Sequence, residues 1–140
     1  MKINVPYNKQ KTEYTCGPSS LKMLFKFFGE NISENRISKQ TKTKQSGTSH
    51  KNLINTARKH NFYCYVHENS SIHQIKHFID KNLPVIVNYI EPFDNEGHYS
   101  VIIGYDKTKI ILNDPWDGKN FKLPFVEFKG RWFDKHKNYI

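Results

Sequence analysis

The sequence predicts an α+β protein in which several helices come first along the chain and an antiparallel sheet follows them. In the first part, apolar residues recur at helical spacing behind serine residues that are typical of helix starts. From residue 84 onward, apolar runs of strand length alternate with short turns. A chain of 140 residues is long enough for one hydrophobic core, so we expect a single domain over residues 1–140.

The first predicted helix covers residues 17–28, and apolar side chains occupy most of its surface, so we expect it to be central and buried. Pro18 lies just inside its start, where the missing N–H group costs no hydrogen bond, and Gly29 is placed to end it. A second, superficial helix over residues 34–42 follows, with Ser33 as its cap.

Two further helices and one strand complete the predicted first part. Ser49 can cap a helix that ends near Asn61, and an amphipathic helix begins at Ser70 or Ser71. Between these helices, residues 62–67 alternate in the manner of a strand.

The rest of the chain is predicted to form a sheet. Strands are expected over residues 84–90, 98–105, 109–113 and 121–123. Only a short turn separates the second of these strands from the third, which predicts an antiparallel hairpin.

The formal net charge of +9 raises the question of nucleic-acid binding. Only three of the 22 basic residues are arginine, the side chain that base and phosphate recognition favours, and the lysines are spread along the chain. We therefore interpret the charge as a solvated lysine surface and expect no nucleic-acid partner.

No apolar run approaches the roughly 20 residues that a membrane-spanning helix needs, so we expect no membrane segment. The first residues lack the apolar core of a signal peptide, which favours a cytoplasmic location unless a leader was removed. The sequence carries no signature of an oligomeric state.

Neither a metal ion nor an organic cofactor is expected. His73 and His77 are spaced i, i+4 and can share a helix face, but no cysteine or carboxylate ligand set joins them. The two cysteines, Cys16 and Cys64, are predicted to stay unpaired, because one disulfide is a poor framework for a chain of this size. We interpret Cys64 as a small hydrophobic residue on a strand.

Cys16 stands at the start of the buried helix. The N–H groups there lack intrahelical partners and the helix dipole favours negative charge, so the position favours the nucleophilic thiolate. Gln10, six residues upstream, could supply a side-chain amide to a developing oxyanion. The segment therefore indicates a cysteine nucleophile that needs a base.

His98 is the candidate base, because it follows a flexible loop over residues 94–97 and opens a strongly apolar strand. On this feature alone, a catalytic and a structural role are equally compatible with it. The other histidines occupy polar or helical-surface contexts in which a solvated side chain is the default: His50, His60, His67, His73, His77 and His136.

Asp114 is the candidate orienting group. In a hairpin of the second and third strands it returns to the end of the sheet at which His98 starts, where it could accept the imidazole N–H. Alternatively, Asp114 and the proline after it only initiate a turn. Trp116 is interpreted either as a wall of the site or as a core residue, and we expect Gly97 and Trp116 to contact substrate.

These residues carry a resemblance to a known family. The pattern of Gln10, the segment 16–20, the strand 98–105 and the segment 113–116 resembles cysteine peptidase family 39 and its free-standing relatives. These are papain-like domains best known for processing bacteriocin leader peptides after a double glycine. The similarity spans nearly the full chain, to about Trp132.

The resemblance implies a papain-like fold, with helices packed on an antiparallel sheet and the site in the cleft between them. It makes Cys16 the nucleophile, His98 the general base and then acid, and Asp114 the orienting group. Gln10 would form the oxyanion hole with the Cys16 N–H group. The implied activity is hydrolysis of a peptide or protein substrate through a thioester acyl-enzyme, without a cofactor.

Two features of the sequence bear on which substrate we expect the protein to cleave. Transporter-fused members usually carry a second cysteine where this chain has Ser20, and no transporter segment is encoded here, so cleavage after a double glycine is not implied. The acidic residues Glu91, Asp94 and Glu96 predict a preference for basic peptides. An amidase, deamidase or acyltransferase with the same triad, or a non-enzymatic basic binding module, remains an alternative.

Overall fold

The computed structural model describes residues 1–133, in which five α-helices precede or flank one four-stranded antiparallel sheet. The helices are α1 (Cys16–Phe27), α2 (Glu34–Gln40), α3 (His50–Lys59), α4 (Ile72–Asp80) and α5 (Phe125–Arg131). The strands are β1 (Val85–Ile90), β2 (Gly97–Tyr105), β3 (Lys109–Asp114) and β4 (Gly118–Pro124). No helix of these residues is long and apolar enough to cross a membrane.

The central helix α1 confirms the first predicted helix and begins one residue earlier, at Cys16. Its side chains Leu21, Met23 and Phe25 are almost fully buried, which explains the apolar run in the sequence. Gly29 ends the helix as predicted, in the left-handed conformation with φ +92°.

The three helices that follow begin at the predicted serine caps. Ser33, Ser49 and Ser71 each accept a hydrogen bond from the backbone N–H group three residues ahead, which satisfies a donor that lacks an intrahelical partner. The helix α2 ends at Gln40, two residues before the predicted end, because Lys42 adopts the left-handed conformation with φ +53°.

The predicted strand over residues 62–67 is wrong, because this segment lies outside the sheet and pairs with no strand. The side chains of this segment nevertheless alternate between buried and exposed positions. Phe62 and Cys64 pack against the helical core, while Tyr63 and Tyr65 are exposed. An extended segment that covers a core shows the same period of two as a strand, and only a neighbouring strand would make it part of a ladder.

The sheet has the order β1-β2-β3-β4, so each strand pairs with its neighbour in sequence. The predicted hairpin of β2 and β3 is confirmed, with Val101 opposite Asn113 and Tyr105 opposite Ile110. The N-terminal segment continues the sheet beside β2, where Lys2 bridges Gly104. A Cβ atom at Gly104 would lie 2.4 Å from the Met1 carbonyl oxygen, so this close approach requires glycine.

The helix α5 was not predicted, because it has seven residues and no cap signal before it. It covers the sheet, and the ring of Phe128 is fully buried there. A second hydrophobic cluster lies among α1, α2 and α3 and includes Tyr99 of β2. The two halves of the molecule therefore meet where α1 packs on β2, and this junction positions the site.

Candidate active site

Cys16 is the first residue of α1, and its side chain is buried at the junction of the helix and the sheet. The Tyr99 backbone N–H of β2 donates a hydrogen bond to its Sγ at 3.5 Å. Gly17 allows this approach, since a Cβ atom there would lie 3.0 Å from Thr48 Oγ1 and 3.3 Å from the Tyr99 ring.

The Tyr99 side chain joins the same junction to the loop before α3. Its hydroxyl donates to the Thr48 carbonyl at 2.9 Å and also contacts His50 Nδ1. His50 therefore has a structural partner beside the site, whereas the sequence indicated a solvated histidine. No local pattern in the sequence signals this contact, because the two residues are 49 positions apart.

His98 lies near the start of β2 and is 7% exposed. Its Nε2 is 2.8 Å from Asp114 Oδ1, and its ring also hydrogen-bonds with the Cys16 side chain. Burial alone would lower the pKa of His98, but the hydrogen bonds to Asp114 and Cys16 outweigh it and raise the pKa to about 10. The arrangement therefore favours a protonated His98 imidazolium beside the Asp114 carboxylate.

Asp114 ends β3 and its side chain is fully buried. Besides His98, it accepts hydrogen bonds from the Tyr89 hydroxyl at 2.6 Å and from the backbone N–H groups of Trp116 and Asp117 at 2.9 Å each. Burial alone would raise the pKa of Asp114, but the hydrogen bond and charge of His98, and the Tyr89 hydroxyl, hold it below 3.8. The turn after β3 and the site are thus one hydrogen-bonded unit.

Two further carboxyl groups, those of Glu91 and Asp117, lie close to Asp114, and no pattern in the sequence indicated this pair. Glu91 is 2% exposed and accepts the backbone N–H groups of Phe93 and Asp94. Burial, the adjoining carboxyl group of Glu91 and the charge of Asp114 raise the pKa of Asp117 to about 7. The Asp117 carboxyl group is therefore half protonated near neutral pH and increasingly protonated below it.

The same contacts correct one expectation about the loop before His98. The prediction that Glu91, Asp94 and Glu96 together attract basic peptides is wrong for Glu91, because its carboxylate is buried, while Asp94 and Glu96 are exposed. Hydrogen bonds also hold this loop to its neighbours: the Asn95 N–H donates to the Glu91 carbonyl, and Arg131 donates to Asn95 Oδ1.

Gln10 is 5% exposed, and its backbone N–H donates to the Pro115 carbonyl at 3.0 Å. Its side-chain Nε2 donates to the Thr12 carbonyl at 2.7 Å, and its Oε1 is buried without a partner among residues 1–133. Buried Glu34 fixes the segment around Gln10, because it accepts from the Lys11 N–H and from the Asn8 amide.

The remaining candidates take different positions. Gly97 is exposed, and a Cβ atom there would meet nothing within 4 Å, so open space adjoins His98. Trp116 is 40% exposed, so it is not a core residue. His136 lies outside the described residues.

The thiols of Cys16 and Cys64 are both free. Cys64 is half-buried, and burial raises its pKa, although the charge of Arg58 acts in the opposite direction. Among residues 1–133, no group of three histidine, cysteine, aspartate or glutamate side chains has the arrangement of a metal site.

A cysteine at the start of a buried helix, opposite a histidine and an aspartate on an antiparallel sheet, is the arrangement of the papain-like α+β fold. The sequence profile of the Peptidase_C39 like family matches residues 2–139, and the chain belongs to this family. Membership supports peptidase activity.

Two relatives illustrate the range of the similarity. The chain is 28% identical over 131 residues to ComA of Streptococcus pneumoniae strain R6, a transport/processing ATP-binding protein. The match covers 90% of this chain but 17% of the length of ComA. An uncharacterized protein of Methanothermobacter thermautotrophicus is 27% identical over 110 residues, covering 79% of this chain and 71% of that protein.

Solved structures confirm the α+β papain-like fold. The peptidase domain of a Streptococcus ComA superposes with a TM-score of 0.78 at 24% identity, covering 92% of this chain and 93% of that domain. A double glycine motif protease in complex with the leader peptide superposes with a TM-score of 0.77 at 20% identity, covering 93% of this chain and 86% of that protease. A C39-like peptidase from Bacillus anthracis superposes with a TM-score of 0.73 at 18% identity, covering 94% of this chain and 95% of that peptidase.

Proposed function

We propose that this protein is a cysteine peptidase that hydrolyses a peptide bond through a thioester acyl-enzyme. Cys16 is the nucleophile, His98 the general base and then the general acid, and Asp114 the group that orients His98. The observation that carries the proposal is the buried cluster where α1 meets β2: the N–H of Tyr99, the residue after His98, donates to Cys16 Sγ, and His98 Nε2 is 2.8 Å from Asp114 Oδ1.

In the proposed reaction, His98 holds the proton given up by Cys16, in line with its raised pKa, and the Cys16 sulfur attacks the scissile carbonyl carbon. Because Nε2 of His98 faces Asp114, the other ring nitrogen, Nδ1, is left to take that proton. The tetrahedral intermediate expels the amine, which leaves with the proton from His98, and a thioester on Cys16 remains. Water, deprotonated by His98, then attacks the thioester and releases the acid.

Gln10 and the Cys16 backbone N–H form the proposed oxyanion hole. An amide nitrogen carries two hydrogens, so the Gln10 side chain keeps one donor beyond its bond to the Thr12 carbonyl. The Cys16 N–H stands at the start of α1, where backbone donors have no intrahelical partner. Both donors belong to segments held by buried hydrogen bonds, which is the preorganisation that such stabilisation needs.

The proposed substrate is a peptide or protein. One structural neighbour holds a leader peptide, which supports a peptide ligand for the same fold. The open space at Gly97 and the part-exposed ring of Trp116 lie beside His98 and Asp114 in sequence, and we assign them to substrate contact.

The triad is tested with peptides from a random library, whose cleavage products are identified by mass spectrometry. The wild type should cut peptides that Cys16→Ala and His98→Ala leave intact, and Asp114→Asn should lower kcat/KM by about a hundredfold or more, because the neutral amide no longer holds the imidazole in the required tautomer or stabilises the imidazolium. His73→Ala, an exposed change on α4, is the matched control and should retain activity.

Iodoacetamide provides a readout that needs no substrate. Near neutral pH, Cys16 should be alkylated in preference to Cys64, and Asp114→Asn should slow this reaction. Equal reactivity of the two thiols would contradict the triad. Detection of amide or acyl-transfer products without peptide cleavage would retain the triad but replace the proposed peptidase by an amidase or an acyltransferase.

A further inference from the structure

Two depressions with one lining residue in common lie on the helical half of the molecule. The first, about 480 Å³ in volume, extends from Tyr14 and Thr15, which directly precede Cys16, to the end of α2. The second, about 400 Å³, lies between the end of α2 and the helix α3. The two depressions adjoin at Lys42, which lines both, and together they are called the groove; its lining includes Thr15, the residue before Cys16.

The groove is positively charged along its whole length. No aspartate or glutamate lines it, and its basic side chains are exposed and form no ion pair within residues 1–133. These side chains are Lys39, Lys42, Lys44, Arg58 and Lys59. Uncompensated charges of one sign in a concave surface raise the local concentration of ligands of the opposite sign.

Lys42, at the junction of the two depressions, has an unusual backbone conformation. Its φ of +53° is left-handed, and its N–H donates to the Lys39 carbonyl in the turn that ends α2. Glycine or asparagine is favoured at such a position. Asparagine occupies the other left-handed non-glycine positions of residues 1–133: Asn61, Asn69, Asn82, Asn95 and Asn120.

We propose, on the basis of the proposed peptidase function, that this groove binds an acidic segment of the substrate next to the scissile bond. The groove lining includes Thr15, the residue before Cys16, so a peptide held there lies near the start of α1. The expectation of basic substrates rested partly on Glu91, which is buried and does not reach a ligand. The exposed Asp94 and Glu96 belong to the sheet half, on the loop before His98.

A peptide fits the groove better than a nucleic acid does. Only one of the five basic side chains is an arginine, and Tyr14 is the one aromatic residue of the lining, so few groups are present for base recognition or stacking. Carboxylates need only charge and short hydrogen bonds, which lysine ammonium groups supply.

Lys42→Asn gives the sharpest test, because it removes the charge and also relieves the left-handed backbone. A peptide that the wild type cleaves is synthesised in two forms, with glutamates or with glutamines on the flanking segment. We expect the wild type to prefer the glutamate form, and Lys42→Asn to raise KM for that form about threefold at unchanged kcat. Its melting temperature should be equal to or higher than that of the wild type.

The charge-matched control is Lys107→Asn in the turn between β2 and β3, at the end of the hairpin away from His98. It should leave both KM values unchanged. The combined change of Lys39→Gln, Lys42→Asn and Lys44→Gln should raise KM for the glutamate form by about tenfold and abolish the preference. Equal KM values for the two peptides with the wild type, or an equal effect of Lys107→Asn, would overturn the proposal.

A binding assay separates this proposal from the peptidase activity itself. If the wild type cleaves no peptide, the proposed function fails. The groove is then tested alone, by fluorescence anisotropy of a labelled glutamate-rich decapeptide with Cys16→Ala, with and without Lys42→Asn. Binding that Lys42→Asn weakens supports the groove. No binding, or binding of a labelled oligonucleotide in preference to the peptide, overturns it.

Discussion

Two adjacent serines in α1 show how differently the same side chain acts at the scale of a single residue. Both are fully buried. Ser19 Oγ donates to the Asn8 carbonyl at 2.8 Å and accepts from the Asn8 amide at 2.7 Å, which joins α1 to the segment that carries Gln10. Ser20 Oγ has no hydrogen-bond partner within the described part of the chain.

A buried hydroxyl without a partner costs free energy, so Ser20→Ala should raise the free energy of unfolding by about 1 kcal/mol. Ser20→Cys should be neutral or stabilising for the same reason, since a thiol is more easily buried than a hydroxyl. Ser19→Ala is the matched control and should lower the free energy of unfolding by about 1 kcal/mol or more. Urea denaturation of the three variants measures all of these changes, and equal effects at the two positions would contradict the contacts described.

The residues of the candidate site differ in whether a local pattern in the sequence indicates them. Cys16 could be found from the helix start, and His98 and Asp114 from the two ends of one predicted hairpin. Tyr89 could not, because it reaches Asp114 only when β1 pairs with β2 so that Tyr89 faces His98. A register between separate strands is set by side-chain packing, which has no local signature.

At the scale of secondary structure, the contact of α1 with β2 and with the loop before α3 sets the position of Cys16. Thr48 and Tyr99 both press against Gly17, the second residue of α1. A side chain at Gly17 requires a shift of a few tenths of an ångström in Thr48, in the Tyr99 ring or in the helix start. The element junction, and not only the three polar residues, therefore determines the geometry of the site.

Gly17→Ala should lower kcat/KM by about tenfold or more, because an added Cβ atom would lie 3.0 Å from Thr48 Oγ1 and 3.1 Å from Thr48 Cβ. Thr48→Gly in the same chain removes both atoms and should restore part of the activity. The measurement is kcat/KM on a cleaved library peptide, with circular dichroism to verify folding. Undiminished activity of Gly17→Ala would show that the close approach is not needed.

The helices and strands were predicted well where a local signal exists. Serine caps marked the starts of α2, α3 and α4, and apolar runs marked β1, β2 and β3. The strand predicted over residues 62–67 was wrong, because alternating apolar residues show that one face of a segment is buried and do not show that it pairs with a strand. The helix α5 is too short for a periodic pattern, and its burial depends on the sheet beneath it.

At the scale of the whole molecule, the buried charges link the stability of the fold to pH. The raised pKa of His98, about 10 against an ordinary 6.5, means that the folded protein holds this proton more tightly than the unfolded chain does. The resulting stabilisation is complete below pH 6.5 and is lost as the pH rises toward 10. The lowered pKa of Asp114 acts oppositely, because its contribution is present above 3.8 and is lost in acid.

The difference in unfolding free energy between the wild type and His98→Gln should therefore be largest near pH 6 and should shrink as the pH approaches 10. Urea denaturation at steps of pH measures it. His73→Gln, an exposed change on α4, is the control and should show no such trend. A difference that stays constant over this range would contradict the ionised pair.

The order of the elements, the cysteine at a helix start and the hairpin that joins His98 to Asp114 follow from local patterns, because caps, periodicity and turns act over a few residues. Tyr89, the Glu91 and Asp117 pair, and the basic groove around Lys42 emerge only in the folded chain. Tyr89 and the carboxyl pair meet their partners because β1, β2 and β3 pair in this register, and the groove forms where α2, α3 and the segment before α1 pack together.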